Sequence, residues 1–210
     1  MHYIFDFDGT IVDSFEYVLH FLSKEAGHPE PKGAEADKYR RKSMRAMAMM
    51  LGIPWWRLPK LFFKGRRVMR ARMDNLHAFH GMEHVIKALH ADGHKLYLIS
   101  SNSSRNIRKY LTRQDLKHCF RAIYGGAGIL GKMNMIKRLR LRFRIKEKVY
   151  YIGDEVNDMA SAKAVGAGTV AVTWGFADRK ELEDAGPDYI ADTPDELITY
   201  LKKLQADGTA

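Results

Sequence analysis

The stretch Tyr3-Ile4-Phe5-Asp6-Phe7-Asp8-Gly9-Thr10 joins a short apolar run to two carboxylates, a glycine and a threonine. Residues two apart on an extended chain point to the same side, so Asp6 and Asp8 would bring their negative charges together at one strand end. Like charges at that distance repel unless a proton or a cation relieves them, and Mg²⁺ prefers oxygen ligands. Gly9 allows the backbone to approach a ligand and leaves N–H groups free for an anion. The stretch predicts a strand that ends in a site for a hard cation and an anion.

Short apolar runs alternate with helical patterns after residue 80. The apolar runs predict strands over 95–100, 121–124, 148–152, 169–173 and 189–190. The helical patterns between them predict helices over 103–113, 132–140, 156–165 and 194–204. Together with a strand at 3–5, this alternation predicts an α/β fold with a Rossmann-like parallel sheet core, whose strands are buried on both faces.

Residues 14–80 break this rhythm, because they contain no convincing strand pattern. Helical patterns cover 14–26, 37–51 and 58–76, and prolines and glycines between them mark loops. The segment is therefore predicted to be a small helical cap inserted after the first strand. The expected domains are a catalytic core of residues 1–13 and 80–210 and a cap of residues 14–79.

The composition fits one sizeable domain with a small inserted module. The chain has 210 residues, and 46% of them are hydrophobic. No stretch is apolar enough to predict a membrane span, and no signal-peptide pattern precedes the first strand. Cys119 is the one cysteine of the sequence, so no disulfide can form within the chain. We therefore expect a protein of the reducing cytoplasm that has no membrane partner.

The formal net charge of +10 reflects two basic runs. The first run is Lys60, Lys64, Arg66, Arg67, Arg70 and Arg72, and the second is Lys137, Arg138, Arg140, Arg142, Arg144, Lys146 and Lys148. Apolar residues at 139, 141, 143 and 145 alternate with the second run, which predicts a solvated face beside a buried one. An anionic small molecule or nucleic acid is the alternative partner of these charges. Nucleic acid is not favoured, because the aromatic residues are not interleaved as a stacking platform.

Four polar sequence elements lie at or just after the C-terminal ends of predicted strands, where ligands bind in open α/β sheets. They are Asp6-Phe7-Asp8-Gly9-Thr10, Ser100-Ser101-Asn102, Lys132 after the glycine-rich residues 125–128, and Gly153-Asp154-Glu155-Val156-Asn157-Asp158. Asp154 and Asp158 are four residues apart where a helix begins, so both can face one region. A parallel sheet would therefore gather the four elements in one site.

Several of these residues have a second interpretation. Ser101 competes with Ser100 as the hydroxyl that contacts a ligand. Lys132 could be a surface lysine, in which case Lys137 is the weaker substitute. Three residues could act as helix caps alone, namely Asn102, Asp154 and Asp158.

The order and spacing of the four elements resemble those of the haloacid dehalogenase superfamily, on its phosphatase side. The resemblance covers residues 1–13 and about 80–200, and the stretch 153–166, with alanines at 160, 162 and 164, is especially typical. The segments Val172-Thr173-Trp174-Gly175-Phe176 and Pro187-Asp188-Tyr189 are similar to those of phosphoglycolate phosphatase-like members. The helical insert also matches the position of the mobile cap in that family.

This resemblance implies a Mg²⁺-dependent phosphatase. Asp6 would be the nucleophile that forms an aspartyl phosphate, and Asp8 would protonate the leaving alcohol and then deprotonate the attacking water. The Asp6 carboxylate, the Asp8 backbone carbonyl and the Asp154 carboxylate would hold Mg²⁺. Asp158 would support the metal shell from outside it.

The phosphate group would be held, by the same resemblance, by Ser100 or Ser101, by Lys132 and by backbone N–H groups near Gly9. The substrate would be a small phosphomonoester, with phosphoglycolate as one candidate, and no required protein partner is evident. Asp8 argues against a dehalogenase, which needs no second acid, whereas a sugar phosphomutase uses the same pair of carboxylates. A non-catalytic protein that binds anions or nucleic acid through its basic face is the alternative from another class.

Overall fold

A parallel sheet of six strands forms the core of the computed structural model, which describes residues 1–127 and 131–207, apart from the side chains of residues 62, 72 and 205–207. Two further strands form a separate antiparallel ribbon. The strands, numbered along the chain, are β1 (His2–Phe5), β2 (Val12–Asp13), β3 (His77–Ala78), β4 (Lys95–Ser100), β5 (Phe120–Gly125), β6 (Val149–Gly153), β7 (Gly168–Val172) and β8 (Tyr189–Ala191).

The central position of β1 decides where the ends of the strands meet. The strand order is β5-β4-β1-β6-β7-β8, so the chain builds outward from β1 to β5 and then returns to add three strands on the other side. Phe5 pairs with Leu98 of β4 and with Ile152 of β6, so the three central strands end nearly level. Ligands bind in open parallel sheets where the strand order reverses in this way. The carboxyl end of β1 is therefore the place where polar side chains from several strands can meet.

Helices cover both faces of this sheet. They are α1 (Phe15–Ala26), α2 (Ala34–Asp37), α3 (Met44–Met50), α4 (Leu58–Arg72), α5 (Met82–Ala91), α6 (Ser104–Arg113), α7 (Gly131–Phe143), α8 (Val156–Lys163), α9 (Arg179–Asp184) and α10 (Pro194–Asp207). Tyr3 and Phe5 of β1 share one apolar cluster with α5, α6 and α10, whereas Ile4 between them packs with α7 and α8. The α/β class and the Rossmann-like parallel sheet predicted from the sequence are confirmed, because β1 buries side chains in both directions.

The insert after β2 is helical and has its own apolar cluster. Buried members of that cluster are Phe15, Leu19, Leu22, Met47 and Leu61. The helix predicted over 37–51 is wrong, since α2 ends at residue 37 and α3 begins at residue 44. Arg41 between them has a φ of 56°, a left-handed conformation that an α-helix cannot contain. The helix predicted over 58–76 also stops early, because a 3₁₀ turn replaces it at Met73–Asn75.

A short ribbon joins the two ends of the insert. Val12 of β2 pairs with Ala78 of β3, and Asp13 pairs with His77, in antiparallel register. The prediction that residues 14–80 contain no strand is therefore wrong at β3. Two residues are too few to show a period of two, so the pairing could not be recognised locally. The expected division into a core of 1–13 and 80–210 and a cap of 14–79 stays a prediction.

The second basic run begins on α7 and continues beyond the end of that helix. Leu139 and Ile145 are buried, but Leu141 between them is 82% exposed. Each residue of α7 turns the side chain by about 100°, so apolar residues two apart cannot all face the core. The predicted buried face is wrong for Leu141 for this reason.

Among the described residues, no helix is both long and apolar enough to cross a membrane. The expected location in the cytoplasm stays a prediction. Gly128, the last residue of the predicted glycine-rich stretch, lies outside the described residues, as do residues 208–210 of the expected core.

Candidate active site

Asp6 and Asp8 follow the end of β1, and their carboxylates contact different partners. Asp6 is 5% exposed, and its Oδ1 accepts a hydrogen bond of 2.7 Å from the backbone N–H of Phe7. The other oxygen, Oδ2, lies 2.5 Å from the ammonium of Lys132. Asp8 Oδ2 accepts a hydrogen bond of 2.9 Å from the side-chain amide of Asn102. The two carboxylates therefore have separate surroundings, as different chemical roles require.

The surroundings of Asp8 raise its pKa and so favour its neutral form more than those of an ordinary aspartate. Burial, followed by the negative charge of Asp6, raises the pKa of Asp8 to about 6, while the hydrogen bond from Asn102 opposes the increase. A carboxyl group with such a pKa can exist as an acid near neutral pH and can also accept a proton. The position therefore suits a group that exchanges protons.

Lys132 projects from the first turn of α7 into the middle of the acidic residues. Its ammonium makes ion pairs with Asp6 and Asp158, and its side chain is 2% exposed. Burial disfavours the charged ammonium, but the carboxylates of Asp158 and Asp6 outweigh it and hold the pKa of Lys132 above its ordinary value. The interpretation of Lys132 as a surface lysine is therefore wrong. Lys137 one turn later is exposed.

Asp154 follows β6 and is completely buried. Its Oδ1 accepts a hydrogen bond of 2.7 Å from the Thr10 hydroxyl, and its Oδ2 accepts one of 2.8 Å from the backbone N–H of Phe176. Burial, together with the charges of Glu155 and Asp6, raises the pKa of Asp154. Asp154 is not a helix cap, because these partners come from distant segments of the chain.

Asp158 lies in the first turn of α8 and belongs to the same cluster. Its Oδ2 accepts a hydrogen bond of 3.3 Å from the backbone N–H of Glu155, which completes a capping box. Its Oδ1 faces the ammonium of Lys132. Burial raises the pKa of Asp158 to about 7, although Lys132 pulls in the other direction. Asp158 is therefore both a helix cap and a partner of the site lysine.

The buried acids fit a divalent metal ion. One carboxylate oxygen from each of Asp6, Asp154 and Asp158 lies within 4.8 Å of the others. Three buried carboxylates around a single ammonium leave an excess of negative charge that burial makes costly. Oxygen donors of this kind are the ligands of hard cations such as Mg²⁺. The chemistry of the donor set thus agrees with the metal that the sequence led us to expect.

Two glycines allow the backbone to close around Asp154. Gly9 has a φ of 77°, and a Cβ atom there would lie 2.1 Å from Asp154 Oδ2. A Cβ atom on Gly175 would lie 2.3 Å from the Cβ of Asp154. Any side chain at either position would displace the carboxylate. In the sequence, Gly175 is recognisable only as part of the family-like segment 172–176. Its place beside Asp154 is visible only in the structure.

Ser100 is the last residue of β4, the strand that neighbours β1 on the side opposite to β6. It is 1% exposed, and its hydroxyl accepts a hydrogen bond of 3.1 Å from the backbone N–H of Asn102. Ser101 is partly exposed. Both serines stand at the carboxyl end of the sheet beside β1, so the choice of phosphate-binding hydroxyl stays a prediction.

Asn102 links the end of β4 to the carboxylate of Asp8. Besides the bond to Asp8, its Oδ1 accepts hydrogen bonds from the backbone N–H of Ser103 and from the side chain of Asn106. The interpretation of Asn102 as a helix cap is wrong, since Ser103 caps α6 through a bond of 3.2 Å from Asn106 N–H. Asn102 instead orients Asp8, a role that the sequence could not indicate because the two residues are 94 positions apart.

Arg66 connects the helical insert to the loop beside the site. Its guanidinium donates a hydrogen bond of 3.1 Å to the carbonyl of Ala127, and its own carbonyl accepts one of 2.9 Å from Asn106. Arg66 belongs to the first basic run, and the sequence indicates no partner within the chain for any single member of that run. The contact shows that this member of the run faces the catalytic side of the sheet.

Comparisons with known proteins agree with this arrangement. The family of haloacid dehalogenase-like hydrolases matches residues 3–172 of the chain. A phosphoglycolate phosphatase from Synechococcus elongatus is 33% identical over 205 residues, which cover 96% of this chain and 97% of that protein. A haloacid dehalogenase-like family protein from Streptococcus pneumoniae has the same fold, with a TM-score of 0.77, 23% identity and coverage of 95% and 97%. A predicted phosphatase from Clostridium acetobutylicum has a TM-score of 0.75, 21% identity and coverage of 96% and 98%.

The fold and the buried acidic cluster are those of a hydrolase of the α/β class with a Rossmann-like parallel sheet, whose site lies at the carboxyl end of that sheet. The match extends over most of the chain, and the chain belongs to the haloacid dehalogenase-like hydrolase family. Within that family it is a phosphatase, a phosphoric monoester hydrolase.

Proposed function

We propose that the protein hydrolyses a small phosphomonoester with Mg²⁺ through an aspartyl phosphate on Asp6. The observation that carries this proposal is the pair of carboxylates after β1, in which Asp6 contacts Lys132 while Asp8 is held apart by Asn102. One carboxylate is thus placed to attack phosphorus, and the other is placed to transfer a proton.

The two carboxylates together account for every bond change and proton transfer of the proposed reaction. The Asp6 carboxylate attacks phosphorus, and the bond from phosphorus to the ester oxygen breaks. Asp8 in its acid form gives its proton to the leaving oxygen, so that an alcohol departs. Asp8 then takes a proton from water, which attacks the aspartyl phosphate and releases inorganic phosphate and the free Asp6 carboxylate.

The phosphate oxygens need positive partners near Asp6. The ammonium of Lys132 already lies beside the Asp6 carboxylate, and Asp158 orients it. Ser100 or Ser101 and backbone N–H groups near Gly9 would complete the cradle. When bound by Asp6, Asp154 and the Asp8 carbonyl, Mg²⁺ would draw the carboxylate and the phosphate dianion together despite their charges.

Phosphoglycolate is the candidate substrate that the comparisons favour. The relative from Synechococcus elongatus that matches along nearly the whole chain is a phosphoglycolate phosphatase. The proposed reaction requires only this kind of small phosphorylated substrate and the metal, and no protein, membrane or nucleic-acid partner. We propose the cytoplasm as its location.

Release of inorganic phosphate from a panel of phosphomonoesters tests the proposal. The panel includes phosphoglycolate, sugar phosphates and an aryl phosphate, each with Mg²⁺ and with a chelator. We expect release that requires Mg²⁺ and is lost with the chelator, because the excess charge of the acidic cluster must be neutralised before a phosphate dianion can approach. If sugar phosphates are isomerised instead of hydrolysed, the protein is a mutase and the proposal fails. Release that is unchanged by the chelator would contradict the role of the metal.

Asp8→Asn tests the proton transfer separately. We expect the variant to lose about 10²–10⁴-fold in kcat/KM on an alkyl phosphate, because an alkoxide is a poor leaving group without a proton and kcat/KM excludes the later hydrolysis of the aspartyl phosphate. The loss should be much smaller for an aryl phosphate, whose leaving group needs less protonation. Steady-state rates on the two esters provide the comparison, and thermal unfolding of the variant shows whether the fold is kept. An equal loss on both esters would mean that Asp8 does not act as the general acid.

A further inference from the structure

A second cluster of metal-binding side chains lies on the opposite edge of the sheet. His90 is near the end of α5, and His118 and Cys119 form the turn that leads into β5. One possible ligand atom from each of these three residues lies within 4.8 Å of the others. This turn precedes the amino end of β5, whereas the acidic site lies at the carboxyl ends of the strands. The six residues of β5 span roughly 20 Å, so the two clusters are separate.

The distances within this cluster already approach those of a tetrahedral zinc site. Cys119 Sγ lies 3.5 Å from His118 Nε2. Zinc binds sulfur at about 2.3 Å and imidazole nitrogen at about 2.0 Å, so two such ligands at a tetrahedral angle are roughly 3.5 Å apart. The rings of His90 and His118 have centroids 5.6 Å apart and meet edge to face. Both histidines are exposed and Cys119 is buried, so the two rings are open to an ion from solvent.

An exposed carboxylate lies near one of the histidines. Asp115 Oδ1 lies 3.5 Å from His118 Nδ1, on the side of the ring away from Cys119. A carboxylate behind the ligating ring is the common arrangement at metal-bound histidines, where it fixes the ring and increases its basicity. Asp115 keeps this place with a φ of 51°, a left-handed conformation that non-glycine residues adopt only rarely. The other ring nitrogen of His118, Nε2, faces the thiol.

The donor set selects a different class of metal from the acidic site. Two imidazoles and one thiolate suit borderline-soft divalent ions, whereas Mg²⁺ and Ca²⁺ require oxygen ligands. We propose that His90, His118 and Cys119 bind one Zn²⁺ ion, with water as the fourth ligand. The ion would tie the end of α5 to the turn before β5. Because it would bind only the folded arrangement, it would stabilise the protein without taking part in phosphate chemistry.

Cobalt is the probe that distinguishes this site from the acidic one. The full-length protein is titrated with Co²⁺ in the presence of excess Mg²⁺, which occupies the oxygen site, and a reductant that does not bind metals. A bond between cobalt and a thiolate produces a charge-transfer absorption that oxygen ligands cannot give. We expect this absorption to saturate at one equivalent of Co²⁺ and to disappear when Zn²⁺ is added.

Variants assign the absorption to the three residues. Cys119→Ser and Cys119→Ala should abolish it, and His90→Gln and His118→Gln should each weaken Co²⁺ binding by at least about 10-fold. His84→Gln is the matched control, since His84 is another exposed histidine on α5 and should leave binding unchanged. No absorption in the unmodified protein would overturn the proposal. The same conclusion follows if both histidine variants bind Co²⁺ as the unmodified protein does.

Thermal unfolding gives a second readout that is independent of cobalt and of catalysis. With excess Mg²⁺ present to occupy the acidic site, and at a Zn²⁺ concentration about 100 times the Kd, we expect Tm of the unmodified protein to rise by roughly 5–10 °C. Cys119→Ala should show no such increase, while His84→Gln should respond as the unmodified protein does. An equal increase in Cys119→Ala would place the stabilising ion elsewhere and contradict the site.

Discussion

Replacement of Asp6 with asparagine is expected to lower phosphate release by at least about 10⁴-fold, because a neutral amide cannot attack phosphorus as a carboxylate does. The change also removes one of the negative charges that the metal would neutralise. The loss should therefore be similar for alkyl and aryl esters, since both require the same attacking carboxylate. This similar loss separates the role of Asp6 from that of Asp8.

The fold of the Asp6→Asn variant should survive. The asparagine carbonyl can accept the hydrogen bond that Asp6 receives from the N–H of Phe7. Its amide would face the ammonium of Lys132, and the lost ion pair at that point costs some stability. Lys132 keeps its second partner, Asp158, so its charge is not left alone.

Acid quenching during turnover provides the direct measurement. The unmodified protein should hold phosphate bound to Asp6, which peptide mapping can locate, and Asp6→Asn should hold none. Asp92→Asn is the matched control, because Asp92 lies before β4, at the amino end of the sheet, where it makes a surface ion pair with Lys202, and it should keep full activity. Phosphate found on Asp8, or normal turnover in folded Asp6→Asn, would show that another residue is the nucleophile.

Replacement of Lys132 with methionine is expected to reduce kcat/KM by about 10³-fold, because the phosphate loses its buried cationic partner in the transition state. Stability should fall as well, by roughly 3 kcal/mol in the free energy of unfolding, since Asp6 and Asp158 lose their counter-charge in a buried place. Methionine has a similar length and apolar character, so the change removes the charge with little change in packing.

Two comparisons separate the charge of Lys132 from general damage. Lys137→Met makes the same change at an exposed position of α7 and should leave activity and stability nearly unchanged. Added Mg²⁺ should recover part of the lost stability of Lys132→Met, because a cation would again balance the acidic cluster. Denaturant unfolding with and without Mg²⁺, together with steady-state kinetics, measures both effects. Normal kcat/KM in folded Lys132→Met would show that Lys132 does not hold the phosphate.

The parallel sheet and the polar residues at the carboxyl ends of its central strands were predictable from the sequence, because both depend on local patterns. The strands β1, β4 and β6 are largely buried apolar runs, and each is followed directly or closed by its polar group. A parallel arrangement then brings Asp6, Ser100 and Asp154 to one edge without further information. The breaks in the insert were less predictable, since the left-handed Arg41 and the two-residue strands have no periodic signal.

The sequence by itself determined the class of fold and the residues of the acidic site, because strand periodicity and the spacing of Asp6 and Asp8 are short-range properties. Only the tertiary structure decided the partners of these residues. Lys132 meets Asp6 across 126 positions, and Asn102 meets Asp8 across 94. Contacts of this length depend on how helices pack over the sheet, which no local pattern encodes. The same reason explains why the sequence does not connect His90 with His118 and Cys119, which only the fold brings together.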